Sequence, residues 1–370
     1  MIIVPPDKKS AWQFGVFTGA LFAFYFINLI AVYLTDYIPG VGYSNSEMIH
    51  LPGLLIALTT ATSVRSRQSA TRLLTVLLVA AGLWYLGELV SIPWRSVWIY
   101  NRYSGSRELP TILAMELLPL FSLYLGCAVL LKNHRWAFAS ISGVILFGVL
   151  LFLTKTKFAL IIMVFITIPS TLLIQNRFGK WRQRLVMALA WLLIIAPAIG
   201  LIWYHNASPR RKSLASMELR IAAWKIALQI TEKSPWYRPI IGYGRFTQTF
   251  DGLAEYYDTD YNKIDKSLLI RGRFHHCHNV LLQTFIETGV LGLTALIFIW
   301  VMAFYRALSA WLRQIEPTMI SGVMAIALIT MAFMGQVDYC FYAVPGFLCW
   351  FLLGLSFASG SEMKNWNIGI

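Results

Sequence analysis

Residues 271–305 read RGRFHHCHNVLLQTFIETGVLGLTALIFIWVMAFY. From Asn279 onward the stretch is overwhelmingly apolar and long enough to cross a bilayer, which takes about 20 residues as a helix. Directly before it crowd Arg271, Arg273, His275, His276 and His278. Ionisable groups are costly inside hydrocarbon and inexpensive at its rim. The stretch therefore predicts a transmembrane helix entered through a cationic, imidazole-bearing mouth, a setting suited to chemistry on a lipid-borne substrate.

Working outward, the same apolar character fills the chain. Of 370 residues, 58% are hydrophobic and 13% charged, with a mean hydropathy of +0.62. Soluble domains carry about 25% charged residues, so the composition predicts an all-α, polytopic transmembrane bundle. Ten spans are expected, at 11–34, 50–64, 73–94, 111–131, 136–153, 158–175, 185–203, 279–305, 317–336 and 341–359. The first lacks a small-residue cleavage pattern and is expected to stay as an anchor.

Positive charge orients these spans. Lys8 and Lys9, then Arg65, Arg67 and Arg72, then Lys132 and Arg135, then Arg177, Lys180, Arg182 and Arg184, then Arg306 and Arg313 fall in alternate connections. The positive-inside tendency then makes those connections, and both termini, cytoplasmic. The net charge of +14 is largely this orienting charge spread over short loops, and it argues against a nucleic-acid partner. Three regions follow: N-terminal spans over 1–203, a polar non-cytoplasmic insertion over 204–276, and C-terminal spans over 277–370.

Within the insertion, Met217, Ile221, Trp224 and Leu228 recur at helical spacing beside Arg220, Lys225 and Glu232. This predicts an amphipathic helix over 214–232 lying near the membrane surface, with Arg220 either solvated or facing a ligand. Gly242 and Gly244, in SPWYRPIIGYGRF, permit a tight turn or a close backbone approach to a ligand. No P-loop or dinucleotide fingerprint is present. Upstream, LTKTKFALI places Lys155 and Lys157 between two spans on the face where lysine is disfavoured. They are either snorkelling anchors or part of a cationic cluster with Arg220, Arg245, Arg271 and Arg273 for an anionic headgroup.

Four blocks in order resemble the bacterial O-antigen ligase family, whose signature is shared with O-antigen polymerases. LTKTKFALI is similar to a Leu-Thr-x-Thr-Arg segment, with Lys157 where the family has Arg. ELRIAAWKIALQITEKSPW resembles the Arg-containing helix of the periplasmic loop. HHCHNVLLQTFIETGVLGL resembles the His-x-His-Asn…Glu-x-Gly block, and GQVDYCFY a late segment with a periplasmic Asp.

The resemblance implies a GT-C-like glycosyltransferase in the bacterial inner membrane, with its active site facing the periplasm. It implies transfer of glycan from undecaprenyl diphosphate to a sugar hydroxyl of lipid A–core oligosaccharide. No cofactor, nucleotide or metal is needed, because the donor is already activated. Expected partners are that lipid-linked glycan, the lipid A–core acceptor and membrane lipids. A glycan polymerase using the same donor, and a non-enzymatic transporter of lipid-linked sugars, are the alternatives.

The chemistry asks for two kinds of group. Charge develops on the diphosphate as the sugar C1–O bond breaks, so cations must be preorganised there. Arg220 and Lys157 are expected to serve, with Arg245, Arg271 and Arg273 behind them and Lys155 in support. The acceptor hydroxyl needs a base, and imidazole titrates near neutrality. His278 is expected in that role, assisted by His276, although His278 and Asn279 also fit a helix cap. Glu287 reads as a buried hydrogen-bonding partner, and Asp338 as a group that orients His278 or holds an Arg. Glu88 and Glu116 are intramembrane acids without an assigned role. Adjacent His275, His276, Cys277 and His278 cannot readily converge on one ion. Cys127 and Cys349 read as core residues, and Cys277 and Cys340 as thiols near the oxidising face.

Overall fold

The computed structural model describes residues 8–34, 50–64, 67–92, 110–130, 134–154, 156–174, 211–244, 250–264, 276–312, 319–336 and 343–359. Among these residues there is no strand. The helices are α1 (Lys8–Tyr33), α2 (His50–Ser63), α3 (Arg67–Val90), α4 (Pro110–Leu130), α5 (His134–Thr154) and α6 (Lys157–Ile174). They continue as α7 (Arg211–Lys233), α8 (Arg238–Ile241), α9 (Phe250–Tyr256), α10 (Val280–Leu312), α11 (Met319–Gly335) and α12 (Ala343–Ser359). A helix occupies nine of the ten expected spans, and the tenth, 185–203, lies outside the described residues.

Four of these helices are long and apolar enough to cross a membrane over Trp12–Ala31, Ser69–Val90, Thr111–Ala128 and Val280–Leu312. Shorter apolar stretches lie at Ala139–Thr154, Phe158–Thr167, Ile320–Gly335 and Gly346–Phe357. The protein is an all-α polytopic membrane protein.

The chain forms two compact units. One comprises residues 1–58, 209–302 and 335–350, the other 59–208, 303–334 and 351–370. In the second unit α4 is buried nearly all round. It holds the intramembrane acid Glu116, which accepts a hydrogen bond from Tyr85 Oη at 2.7 Å and so is paired inside the bundle, as a buried carboxyl must be. Gly126 and Gly143 let helices approach: a Cβ at Gly126 would lie 3.1 Å from Val323 Cα, and one at Gly143 2.1 Å from Tyr124 Cδ1. Small residues at such crossings are a common means of helix packing in membranes.

Arg306 corrects the sequence reading. It was expected in a cytoplasmic connection, but α10 runs on to Leu312 and buries Arg306, whose guanidinium lies 4.4 Å from the Phe357 ring centroid. The charge sits over an aromatic face within the bundle instead of orienting a loop.

The first unit carries the polar insertion. α7 turns Ile221 and Leu228 outward, while Ala223, Ile226, Ala227 and Ile230 are buried. These pack with Phe250, Leu253, Tyr261, Cys277 and Ile286 in one hydrophobic core. Two small alanines carry this buried face, and the larger apolar side chains Ile221 and Leu228 stand outside it. Gln229 locks α7 to the 3-10 turn Asp260–Lys263, donating to Asp260 Oδ2 and accepting from Asp260 N–H, both at 2.9 Å.

Candidate active site

The site is built where α7, the 240–244 segment and the head of α10 share this core. α10 is not one continuous helix. Gly289 adopts φ 63° and ψ −170°, separating the segment 280–288 from the rest of the span. The carbonyls of Ile286 and Glu287, in the last turn before the break, accept the N–H groups of Tyr243 and Gly244 at 2.9 and 2.7 Å. Helix-end carbonyls need such outside donors.

Two glycines permit this approach. Gly242 has φ 77°, and a Cβ there would lie 2.4 Å from the backbone of Glu287 and Thr288. A Cβ at Gly289 would lie 2.2 Å from Ile240 C and O. At Gly242 the close backbone approach is therefore made to α10.

Arg238 escaped the sequence reading. Although it follows two aromatic residues in a loop, it is buried, and it donates to Gly242 O and Leu34 O, each at 3.1 Å. Its guanidinium also lies 5.0 Å from the Tyr237 ring centroid and 4.9 Å from that of Tyr243. It ties the end of α1 to the G-x-G turn. The hydroxyl oxygens of Ser234, Tyr243 and Tyr257 form a chain at 2.5 and 2.6 Å, and burial pushes the Tyr243 phenol well above its ordinary range.

The histidine turn sits on the same core through Cys277, which is fully buried. Asn279 is the N-cap of α10, its Oδ1 accepting from Leu281 N–H at 2.9 Å and Leu282 N–H at 3.1 Å. Its Nδ2 donates to Gln336 O at 3.2 Å, two residues before Asp338. His278 adopts φ 52°, a left-handed conformation uncommon for a residue with a Cβ. Its N–H donates to His276 Nδ1 at 3.2 Å, which leaves His276 as the Nε2–H tautomer, and the two rings stand edge to face with centroids 4.3 Å apart. Capping therefore falls to Asn279.

Below the turn, Gln283 Oε1 accepts from Cys277 N–H at 3.0 Å, and Gln283 Nε2 donates to Glu287 Oε1 at 2.9 Å. Both side chains are buried. Gln283 was missed, although its place four residues before Glu287 and four after Asn279 puts all three on one helix face.

Arg220 lies on α7 next to Leu219, which packs against the core that holds Cys277. Its side chain is half-buried, and among the described residues no hydrogen-bond or ion-pair partner meets it. Lys157 opens α6, after a break in which Thr156 N–H donates to Thr154 Oγ1 at 3.3 Å and Thr156 O accepts from Leu160 N–H at 3.1 Å. Lys155, Arg245, Arg271, Arg273, His275, Asp338 and Cys340 lie outside the described residues. Among the described residues no three His, Cys, Asp or Glu side chains converge as a metal site would require.

No curated protein matches the chain. A family model described as O-antigen ligase matches residues 120–297, just under half of the chain, from α4 through the head of α10. The matched stretch takes in Lys157, Arg220, the histidine turn and Glu287. Over residues 120–297 the chain is therefore similar to the O-antigen ligase family.

Proposed function

We propose that this protein is an O-antigen ligase, which transfers glycan from undecaprenyl diphosphate to a sugar hydroxyl of lipid A–core oligosaccharide at the periplasmic face of the inner membrane. The family match supports a ligase- or polymerase-type enzyme acting on lipid-linked glycan. The observation that carries the reading is the histidine turn, in which His278 is held left-handed at the head of a membrane helix while Asn279 does the capping. An imidazole kept there at the cost of backbone strain, of the order of 1–3 kcal/mol, points to function.

In this reading His278 takes the proton of the acceptor hydroxyl as that oxygen bonds to the sugar C1. The C1–O bond to the diphosphate breaks, and undecaprenyl diphosphate leaves with its bonding electrons. Arg220 and Lys157 stabilise the charge on that leaving group, with Arg245, Arg271 and Arg273 as further cations and Lys155 in support. A planar guanidinium grips phosphate through two hydrogen bonds, which an ammonium cannot. Arg220, half-buried and with no partner among the described residues, has its fork available for this. His276 supports the turn by accepting the His278 N–H. Asp338 is assigned a supporting role in this reading.

The lipopolysaccharide of a strain lacking the protein tests the function. Full-length core without polymer, with polymer accumulating on undecaprenyl diphosphate, is the expected result. Core bearing a single repeat would identify a polymerase instead.

A further inference from the structure

We propose that Gln283 and Glu287 are positioning residues for His278, an inference that rests on the acceptor-base reading above. Cys277 N–H can only donate, so the atom of Gln283 that faces it at 3.0 Å is the carbonyl oxygen. The amide nitrogen must then face Glu287, whose Oε1 accepts from it at 2.9 Å. Glu287 thus fixes which way the Gln283 amide points, and Gln283 fixes the backbone immediately before His278. All three groups are buried, where an unmet donor is costly and a properly paired one is held tightly.

The relay explains why His278 can stay at φ 52°. Left-handed backbone is unfavourable for a residue with a Cβ, and such a conformation persists only where its surroundings over-determine it. The turn is pinned on its N-terminal side by Gln283 at Cys277 and on its C-terminal side by the Asn279 cap. Gly289 ends the helical segment two residues after Glu287, and the Glu287 carbonyl is held by Gly244 N–H at 2.7 Å. The carboxylate therefore stands on a backbone that is itself fixed.

The test exchanges amide and carboxylate. Gln283→Glu keeps the size of the side chain but removes the amide that donates to Glu287, and faces it with a second carboxyl. In the double variant Gln283→Glu with Glu287→Gln, the carboxylate accepts from both Cys277 N–H and the new amide, and the relay is restored in reverse order. Two quantities are read: labelling of Cys277 by a thiol reagent, resolved by peptide mass spectrometry, and kcat against KM for undecaprenyl-diphosphate glycan.

Gln283→Glu should label at Cys277 and lose kcat about 10–100-fold, the range expected when a buried acceptor loses its donor and faces a second carboxyl, with donor KM little changed. The double variant should recover both protection and kcat. Unchanged labelling and kcat in Gln283→Glu, or a double variant no better than the single, overturns the relay. Should Gln283→Glu fail to accumulate, the double variant alone decides: protected and active supports the relay, labelled or inactive overturns it. His278→Ala, assayed alongside, separates the two readings. Transfer surviving in that variant overturns the base assignment, and with it the catalytic purpose of the relay, while Cys277 protection still reports whether the relay holds the turn.

Discussion

Gly242 and Gly289 both take left-handed backbone, φ 77° and 63°, where the loop of one runs against the helix break of the other. A Cβ on either would fall within 2.4 Å of the opposing backbone. The pair fixes the head of α10, and with it the histidine turn, against the insertion.

Gly242→Ala and Gly289→Ala should therefore each destabilise this unit by at least about 2 kcal/mol, because the positive φ and the backbone clash act together. Thermal unfolding in detergent, with limited proteolysis of the insertion, measures this. Wild-type stability in either variant would mean that the close approach is not maintained.

Tyr243 predicts a pH dependence. Burial raises its folded phenol above the ordinary 10.0, so the unfolded chain ionises first. The stability from this neutral phenol is complete below pH 10.0 and is lost as pH rises from there toward the folded value. Tyr243→Phe should be about 1–3 kcal/mol less stable near neutrality, where it leaves hydrogen-bond partners unmet. That gap should narrow in melting curves taken above pH 10.

Arg220→Ala should cut transfer by about 10²-fold, the scale of removing one transition-state donor, without loss of folded protein. Arg220→Lys should recover little, because the two-pronged phosphate contact is gone. Lys157→Arg should be tolerated. Near-normal turnover in Arg220→Lys would reduce Arg220 to a surface charge.

Topology is checked by fused reporters. One inserted within 204–276 should report the periplasm, and one placed after Lys364 the cytoplasm. The same answer from both would break the alternation of basic connections on which the orientation rests.

The spans were legible because membrane helices are specified by long apolar runs, and a run needs no knowledge of what it packs against. Glu116 and Glu287 could be singled out for the same reason, since a carboxylate in such a run stands out. The buried face of α7 was not legible: Ala223 and Ala227 carry it, and only tertiary packing makes alanine count for more than Ile221 or Leu228. Arg238 was hidden because its partner carbonyl, Leu34 O, lies 204 residues away. Gln283 was hidden because a glutamine near the head of a helix looks solvated until the Cys277 amide is seen beneath the turn. The break at Gly289 reads in sequence as one more small residue in a span, and only the loop backbone lying against it explains its φ.

The central claim is that His278 acts on the acceptor hydroxyl and not on the donor. A positioned general base contributes about 10²–10⁴ in rate, while a neutral imidazole adds little to diphosphate binding. The deciding measurement compares undecaprenyl-diphosphate glycan binding with glycan transfer on the same purified His278→Ala protein. Transfer reduced about 10²-fold or more, with donor affinity retained, is the predicted result. Parallel loss of both, or transfer that survives, would contradict the account.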